Sequence, residues 1–203
     1  MTFVIEISFS PIRYKLESRM QKITGFILAT LLTLPIFSYA QGNSESVFEK
    51  INQRMNYMQD VALYKINHHL AIEDLEREAV VIEKSKAASE KYGLDGTSTT
   101  ELTVSLISAA KAIQYRYRAD MLTQIADVPQ TPRDLKTEIR PALIKLGNEL
   151  NASISDYLNT GEVFTDEQYQ AFSSTITNPY LKDNDKKLIF SALQNIQLKS
   201  AAK

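Results

Sequence analysis

INQRMNYMQDVALYK, residues 51–65, carries the pattern on which the fold turns. Ile51, Met55, Met58 and Ala62 recur at three- and four-residue steps, and Val47 before them and Ile66 after them extend the series. That period places all six on one stripe of an α-helix, and the spacing predicts a helix over residues 45–69. The same stretch holds Arg54 and Lys65, eleven residues apart. Eleven steps of about 100° return to within about 20° of the starting direction, so the two cations share a face. They stand roughly 16 Å apart along the axis. Solvated charges can share a face by chance, and the rest of the sequence decides whether these two meet water or a ligand.

Outward from this stretch the chain continues to read as helices. Strand-like alternation is scarce, and no hairpin dipeptide separates apolar runs. A second helix is expected over 72–92, with Glu73 and Asp74 favouring its first turn and Gly93 stopping it. LDGTSTT, residues 94–100, reads as a loop or an N-cap region before a third helix over 100–126. VPQTPRD, residues 128–134, is a proline-bearing connector to a fourth helix over 134–159 that stops at Gly161. Pro141 within it marks either the true start or a kink. Thr165 with Gln168 fits a capping box, and Asp183 is placed to cap a last helix over 184–198. The expected whole is one all-α domain, a bundle of about six helices packed lengthwise.

Composition narrows the classes. The 203 residues hold 23 basic and 24 acidic side chains, which gives no reason to expect a nucleic-acid partner. Absence of cysteine excludes a disulfide framework, a thiol nucleophile and a thiolate metal site. Near the N-terminus, Lys22 precedes the apolar run ITGFILATLLTLPIF (23–37), and SYAQG follows. A charged segment, a short apolar core and small residues at Ser38 and Ala40 make a signal peptide, with cleavage expected after Ala40. The run is short for a membrane span. Residues 1–19 add nothing to such a signal, and Met20 is an alternative start. The expected organisation is a removable segment, 1–40, and a helical domain, 41–203, that is periplasmic or secreted and has no stable membrane association after cleavage. Removing 1–40 takes away Arg13, Lys15, Arg19 and Lys22 together with Glu6 and Glu17, which leaves 19 basic and 22 acidic residues and a formal charge of −3. A mildly acidic protein that binds an anion must gather its cations locally.

Polar residues on the first three helices suggest such a gathering. Asp74, Arg77, Glu78 and Val81 follow one another at i, i+3, i+4 and i+7 and form one stripe. In SAAKAIQYRYRAD, residues 108–120, Gln114 shares a face with Ala110 and Lys111. The plainer reading makes surface ion pairs of Arg77 with Asp74 and Glu73. Order and spacing favour the other one. The stretch 51–121 resembles the all-helical chorismate mutases, most closely their secreted, gamma-type subclass. The resemblance rests on INQRMNYMQDVALYK, HHLAIEDLERE (68–78) and AAKAIQYRYRAD (109–120), and extends more weakly through DLKTEIRPALIKLGNEL (134–150).

That resemblance implies conversion of chorismate to prephenate by a concerted rearrangement within one molecule, with no cofactor and no metal. Such a reaction asks for fixed cations facing two carboxylates and for donors aimed at the ether oxygen, where charge grows as its bond to carbon breaks. By resemblance, Arg54 and Arg140 hold one carboxylate and Arg77 helps with the other. Lys65 reaches a carboxylate and the ether oxygen, Gln114 donates to that oxygen from the far side, and Glu78 with Asp74 receives the substrate hydroxyl. Arg133 is the fallback for Arg140. Two positions depart from the family pattern: Ala110 stands where relatives often place Ser or Thr, and Val81 stands where some place a polar contact. The resemblance also implies a homodimer with a complete site in each chain. The rival readings are a non-catalytic exported helical protein that binds a small dicarboxylate or a protein partner, and a signal-anchored structural protein whose charges all face water.

Other features are read as structural. His68 and His69 point about 100° apart on a helix and have no third ligand at suitable spacing, so they belong to a helix end. Tyr115, Arg116, Tyr117 and Arg118 circle a helix instead of forming a basic stripe, as core tyrosines with solvated arginines do.

Overall fold

The computed structural model describes residues 42–123 and 131–200, so the expected signal segment and its cleavage site lie outside the described residues. Six α-helices follow in chain order: α1 (Gly42–Asn67), α2 (Leu75–Glu90), α3 (Gly96–Thr123), α4 (Arg140–Asn159), α5 (Tyr169–Thr175) and α6 (Asp183–Gln194). A π-helical turn, Leu135–Ile139, leads into α4, and a 3₁₀ turn, Asp166–Gln168, leads into α5. No strand is formed among the described residues; an isolated bridge joins Leu94 to Leu198.

α1 lies against α3 and α4 at the centre of the bundle. Its stripe of Val47, Ile51, Met55, Met58 and Ala62 is fully or almost fully buried, as the period requires. Leu102, Leu106, Ala109 and Ile113 of α3 meet it from one side, and Leu150 and Ile154 of α4 from the other. Phe48 closes the lower end within an aromatic group of Phe164, Phe172 and Phe190. The short C-terminal helices therefore complete the core. They are also tied to it by polar contacts: the buried Asn178 side chain donates to the Met55 carbonyl at 3.1 Å, and Arg116 on α3 donates to the Tyr180 carbonyl and to Asp185.

Helix ends depart from the sequence expectations in instructive ways. α1 stops at Asn67, two residues early, because His69 takes a left-handed conformation (φ 53°). Its neighbours make the paired terminal bonds of a Schellman motif, Leu70 N to the Lys65 carbonyl at 2.8 Å and His69 N to the Ile66 carbonyl at 3.1 Å. His68 stacks on Tyr64 and bonds the Tyr64 carbonyl. α2 begins at Leu75, not Ile72, because the Asp74 carboxylate accepts from the Arg77 amide as an N-cap. α3 begins at Gly96 within the expected loop, because Asp95 accepts from the Ser98 amide. Pro141 sits in the first turn of α4, so it is the true start of the α-helical part. The last helix starts at Asp183, one residue earlier than expected, and ends at Gln194. There Asp185 accepts from the Lys182 amide, whereas Asp183 accepts from the Tyr169 hydroxyl and pairs with Lys187. Tyr117 is a core residue as expected, but Tyr115 is exposed and Arg116 is bonded, not solvated.

α2 is held to α3 by hydroxyls as much as by apolar contact. Ser89 and Thr99 are both buried and bond at 2.7 Å, and Ser85 bonds Thr103 at 2.9 Å. This keeps Glu78 turned toward α3, where it pairs with Lys111, while the Arg77 side chain stays exposed.

Candidate active site

The early stop of α1 shapes one wall. The chain reverses directly after Lys65, and the carbonyl of Ile72 comes back to accept from the Lys65 ammonium at 2.6 Å. Asp74, two residues later, starts α2 and sends Arg77 and Glu78 off its first turn. The charges of Asp74, Glu78, Arg77 and Arg140 all act on Lys65. Burial is the largest influence there, and it holds the ammonium below its ordinary range against the pull of the two carboxylates.

A second wall comes from α4. The Asp134 carboxylate accepts from the amides of Lys136 and Thr137, which fixes the π turn. The turn shifts the helical phase, and Arg140 leaves it half-buried with its Nε fully enclosed. Burial lowers the Arg140 pKa first, and repulsion from Arg77 lowers it further. Arg54 reaches from α1 toward the first turn of α4, where Nη1 donates to the Leu143 carbonyl at a long 3.4 Å. Its residue keeps some exposure, yet its Nε is enclosed and without a partner, and burial lowers its pKa.

α3 supplies the third wall. Gln114 is 5% exposed. Its Nε2 donates to the Ala110 carbonyl at 3.0 Å and lies 4.0 Å from the Met58 sulfur, while its Oε1 has no partner. Lys111, one turn earlier, makes a 2.9 Å ion pair with Glu78 across to α2. The Arg77 guanidinium forms no ion pair or hydrogen bond among the described residues, so the surface pairs with Asp74 and Glu73 that the plainer reading expects are absent there.

Side chains with a buried N or O atom that finds no partner are a short group among the described residues: Arg54, Gln114 and Arg140. All three are site residues expected from the sequence. Buried polar atoms are normally bonded, and each exception calls for a cause. Lys65, Arg77, Arg140 and Lys111 stand against Asp74 and Glu78 with an excess of positive charge, and burial lowers the pKa of Lys65, of Arg140 and of Arg54, which reaches the first turn of α4. An anion placed among them would reverse both penalties. Fixed cations and amide donors of this kind can bind an anion and polarise it.

Arg133 stands elsewhere. It pairs with Asp60 and lies over the Tyr57 ring, 4.4 Å from its centroid. It borders a polar surface hollow of about 630 Å³ with Lys50, Gln53, Asn56 and Glu149. A second hollow, about 540 Å³, lies between Tyr92 and the outer face of α4 near Ile144. Neither hollow is lined by a member of the cluster. Sequence reading missed Lys111 as a partner of Glu78; its place three residues before Gln114 was the available signal. The Ile72 carbonyl carried no signal, because it arrives only through the turn at His69.

Residues 45–115 match the family described as chorismate mutase type II. The chain is 40% identical over 152 residues to a monofunctional chorismate mutase of Enterobacter agglomerans, a match that covers 75% of this chain and 82% of that protein. It is 36% identical over 182 residues to a secreted chorismate mutase of Yersinia pestis, covering 90% and 96% respectively. The crystal structure of the Yersinia pestis secreted chorismate mutase superposes with a TM-score of 0.69 over 75% of this chain and 97% of that one. A chorismate mutase from Burkholderia thailandensis, 20% identical, has the same fold with a TM-score of 0.61 over 75% of this chain and 98% of that one.

Proposed function

The chain belongs to the type II chorismate mutases, and from that premise we propose how its own side chains rearrange chorismate to prephenate and where the enzyme works. The reaction breaks one carbon–oxygen bond and makes one carbon–carbon bond within a single molecule. Its requirements are a compact substrate shape and relief of the charge that gathers on the ether oxygen. Arg54 and Arg140 take one carboxylate through guanidinium forks, and Arg77 with Lys65 takes the other. Lys65 and the Gln114 amide face the ether oxygen from opposite sides, and Glu78 receives the ring hydroxyl. Asp74 caps α2 and keeps Arg77 and Glu78 in place. The observation that supports this reading most is the enclosure of unpartnered polar atoms on Arg54, Gln114 and Arg140 together. Loss of chorismate absorbance on adding purified residues 41–203, with prephenate identified as product, tests the function. Unchanged chorismate would overturn it.

Gln114→Glu tests the donor role. An amide donates at every ordinary pH, whereas a carboxyl donates only when protonated. Next to the Ala110 carbonyl, a buried carboxylate has no donor, so the variant's carboxyl pKa should rise above the ordinary range. Wild-type activity should be flat from about pH 5 to 8. The variant should lose roughly 10- to 100-fold at pH 8 and recover toward pH 5. A pH profile that superposes on wild type would remove Gln114 from the chemistry.

The enzyme acts outside the cytoplasm in this reading, as the Lys22-led segment and the secreted relative support. Cleavage after Ala40 leaves α1, which starts at Gly42, whole. No helix among the described residues is long and apolar enough to cross a membrane. Two chains assemble as a homodimer, and Arg140 of the same chain completes each site.

A further inference from the structure

We propose that Lys111 is a positioning residue that holds Glu78 for the substrate hydroxyl. The inference rests on the reading that Glu78 receives that hydroxyl. Lys111 Nζ meets one carboxylate oxygen of Glu78, Oε2, at 2.9 Å, and both side chains are mostly covered, at 25% and 21% exposure. The other oxygen, Oε1, makes no hydrogen bond among the described residues. A one-sided ion pair of this kind fixes the carboxylate plane and leaves one acceptor open.

The position of Lys111 makes the arrangement specific. It lies at i−3 from Gln114 on α3, so one helix face presents both the ether-oxygen donor and the anchor of the hydroxyl acceptor. The alternative partners of Glu78 are already near. Its charge acts on Lys65, whose ammonium is needed elsewhere. Glu78 released from Lys111 can swing onto that ammonium, which would spoil two contacts at once. The pair therefore keeps the two opposite charges of the site apart. The Lys111 pKa is raised, with the hydrogen bond to Glu78 as the largest cause, which keeps this anchor charged throughout the working range.

A merely structural pair between α2 and α3 would act on stability and leave kinetics alone. The test uses Lys111→Met, Lys111→Arg, Glu78→Gln and the Lys111→Met/Glu78→Gln double variant of the active enzyme, each with KM, kcat and thermal midpoint measured. Lys111→Met is expected to raise KM about tenfold with the thermal midpoint near wild type, because the hydroxyl is bound alike in ground and transition states. Lys111→Arg is expected to restore KM. The double variant should be no worse than Glu78→Gln. An impaired Glu78→Gln with a normal Lys111→Met would overturn the role of Lys111 alone. Equal losses from Lys111→Met in both backgrounds would overturn it too, since its effect would then bypass Glu78. A normal Glu78→Gln would overturn the hydroxyl assignment itself, and the proposal with it. Should Lys111→Met fold poorly, failure of the well-folded Lys111→Arg to reach wild-type KM would count against it.

Discussion

Arg54→Met is expected to lower kcat/KM by about 10³ or more while leaving the protein equally or more heat-stable. The two halves of that result come from one feature. Arg54 is a partly buried cation whose contacts inside the protein are poor: a single 3.4 Å bond to the Leu143 carbonyl, and an enclosed Nε with no partner. Desolvation lowers its pKa with no opposing carboxylate to restore it. An apolar chain of similar length removes that burden. Replacement of buried ionic groups by apolar ones is commonly neutral or stabilising by about 1–4 kcal/mol. In a domain of this size each kcal/mol moves the thermal midpoint by about 2–4 °C. Catalysis moves the other way, because a substrate carboxylate would be left buried without its fork. A thousandfold loss is about 4 kcal/mol of transition-state binding. Steady-state kinetics and a melting curve on the same preparation check both halves. Near-normal turnover would remove Arg54 from the site, and a collapse of stability would make it a structural residue.

Lys65→Ala is expected to cost about 10²- to 10³-fold in kcat, the scale of one lost preorganised donor at a developing charge. The ammonium is held by the Ile72 carbonyl at 2.6 Å, so its place is set before substrate arrives. Its titration gives a second signature. Burial lowers the Lys65 pKa more than Asp74 and Glu78 raise it. The protonated form carries the activity, so kcat/KM should fall as pH rises through a value below that of a free lysine. A bound dianion favours the charged form, so the fall in kcat should come at higher pH than the fall in kcat/KM. Lys65→Ala should lack this alkaline limb. A variant that keeps wild-type kcat would rule out the ether-oxygen role.

The helical class and the core were legible because apolar spacing is a local property. Val47, Ile51, Met55 and Met58 announce a buried stripe whatever packs on it, and all are buried. Helix ends were less legible, because each depends on one side chain choosing a backbone amide. Asp74 as a cap looks no different in sequence from Asp74 in a first turn, and a left-handed His69 is not a stop signal that spacing reveals. For the site, the shared face of Arg54 and Lys65 follows from helical period. Convergence of α1 with Arg140 does not, since it passes through a π turn that the sequence shows only as DLKTEI before a proline. For the partner of Glu78 the sequence shows only that Lys111 shares a face with Gln114, because the pairing itself depends on rotation about both helix axes. Arg140 was the first choice on the chain with Arg133 as its fallback, and no spacing shows that Arg133 has a carboxylate and a ring of its own in Asp60 and Tyr57.

Arg54, Arg140 and Gln114 each keep an enclosed polar atom without a partner, and we place a doubly anionic guest against these three and Lys65. A crystal structure with a stable bicyclic dicarboxylate, shaped like the compact transition state, tests it most directly. The expected density has one carboxylate within about 3 Å of the Arg54 and Arg140 guanidinium groups, with Lys65 and Gln114 on either side of the ether position. Density for the guest in the hollow bounded by Arg133 and Lys50, with the Arg54 cluster empty, would contradict the account.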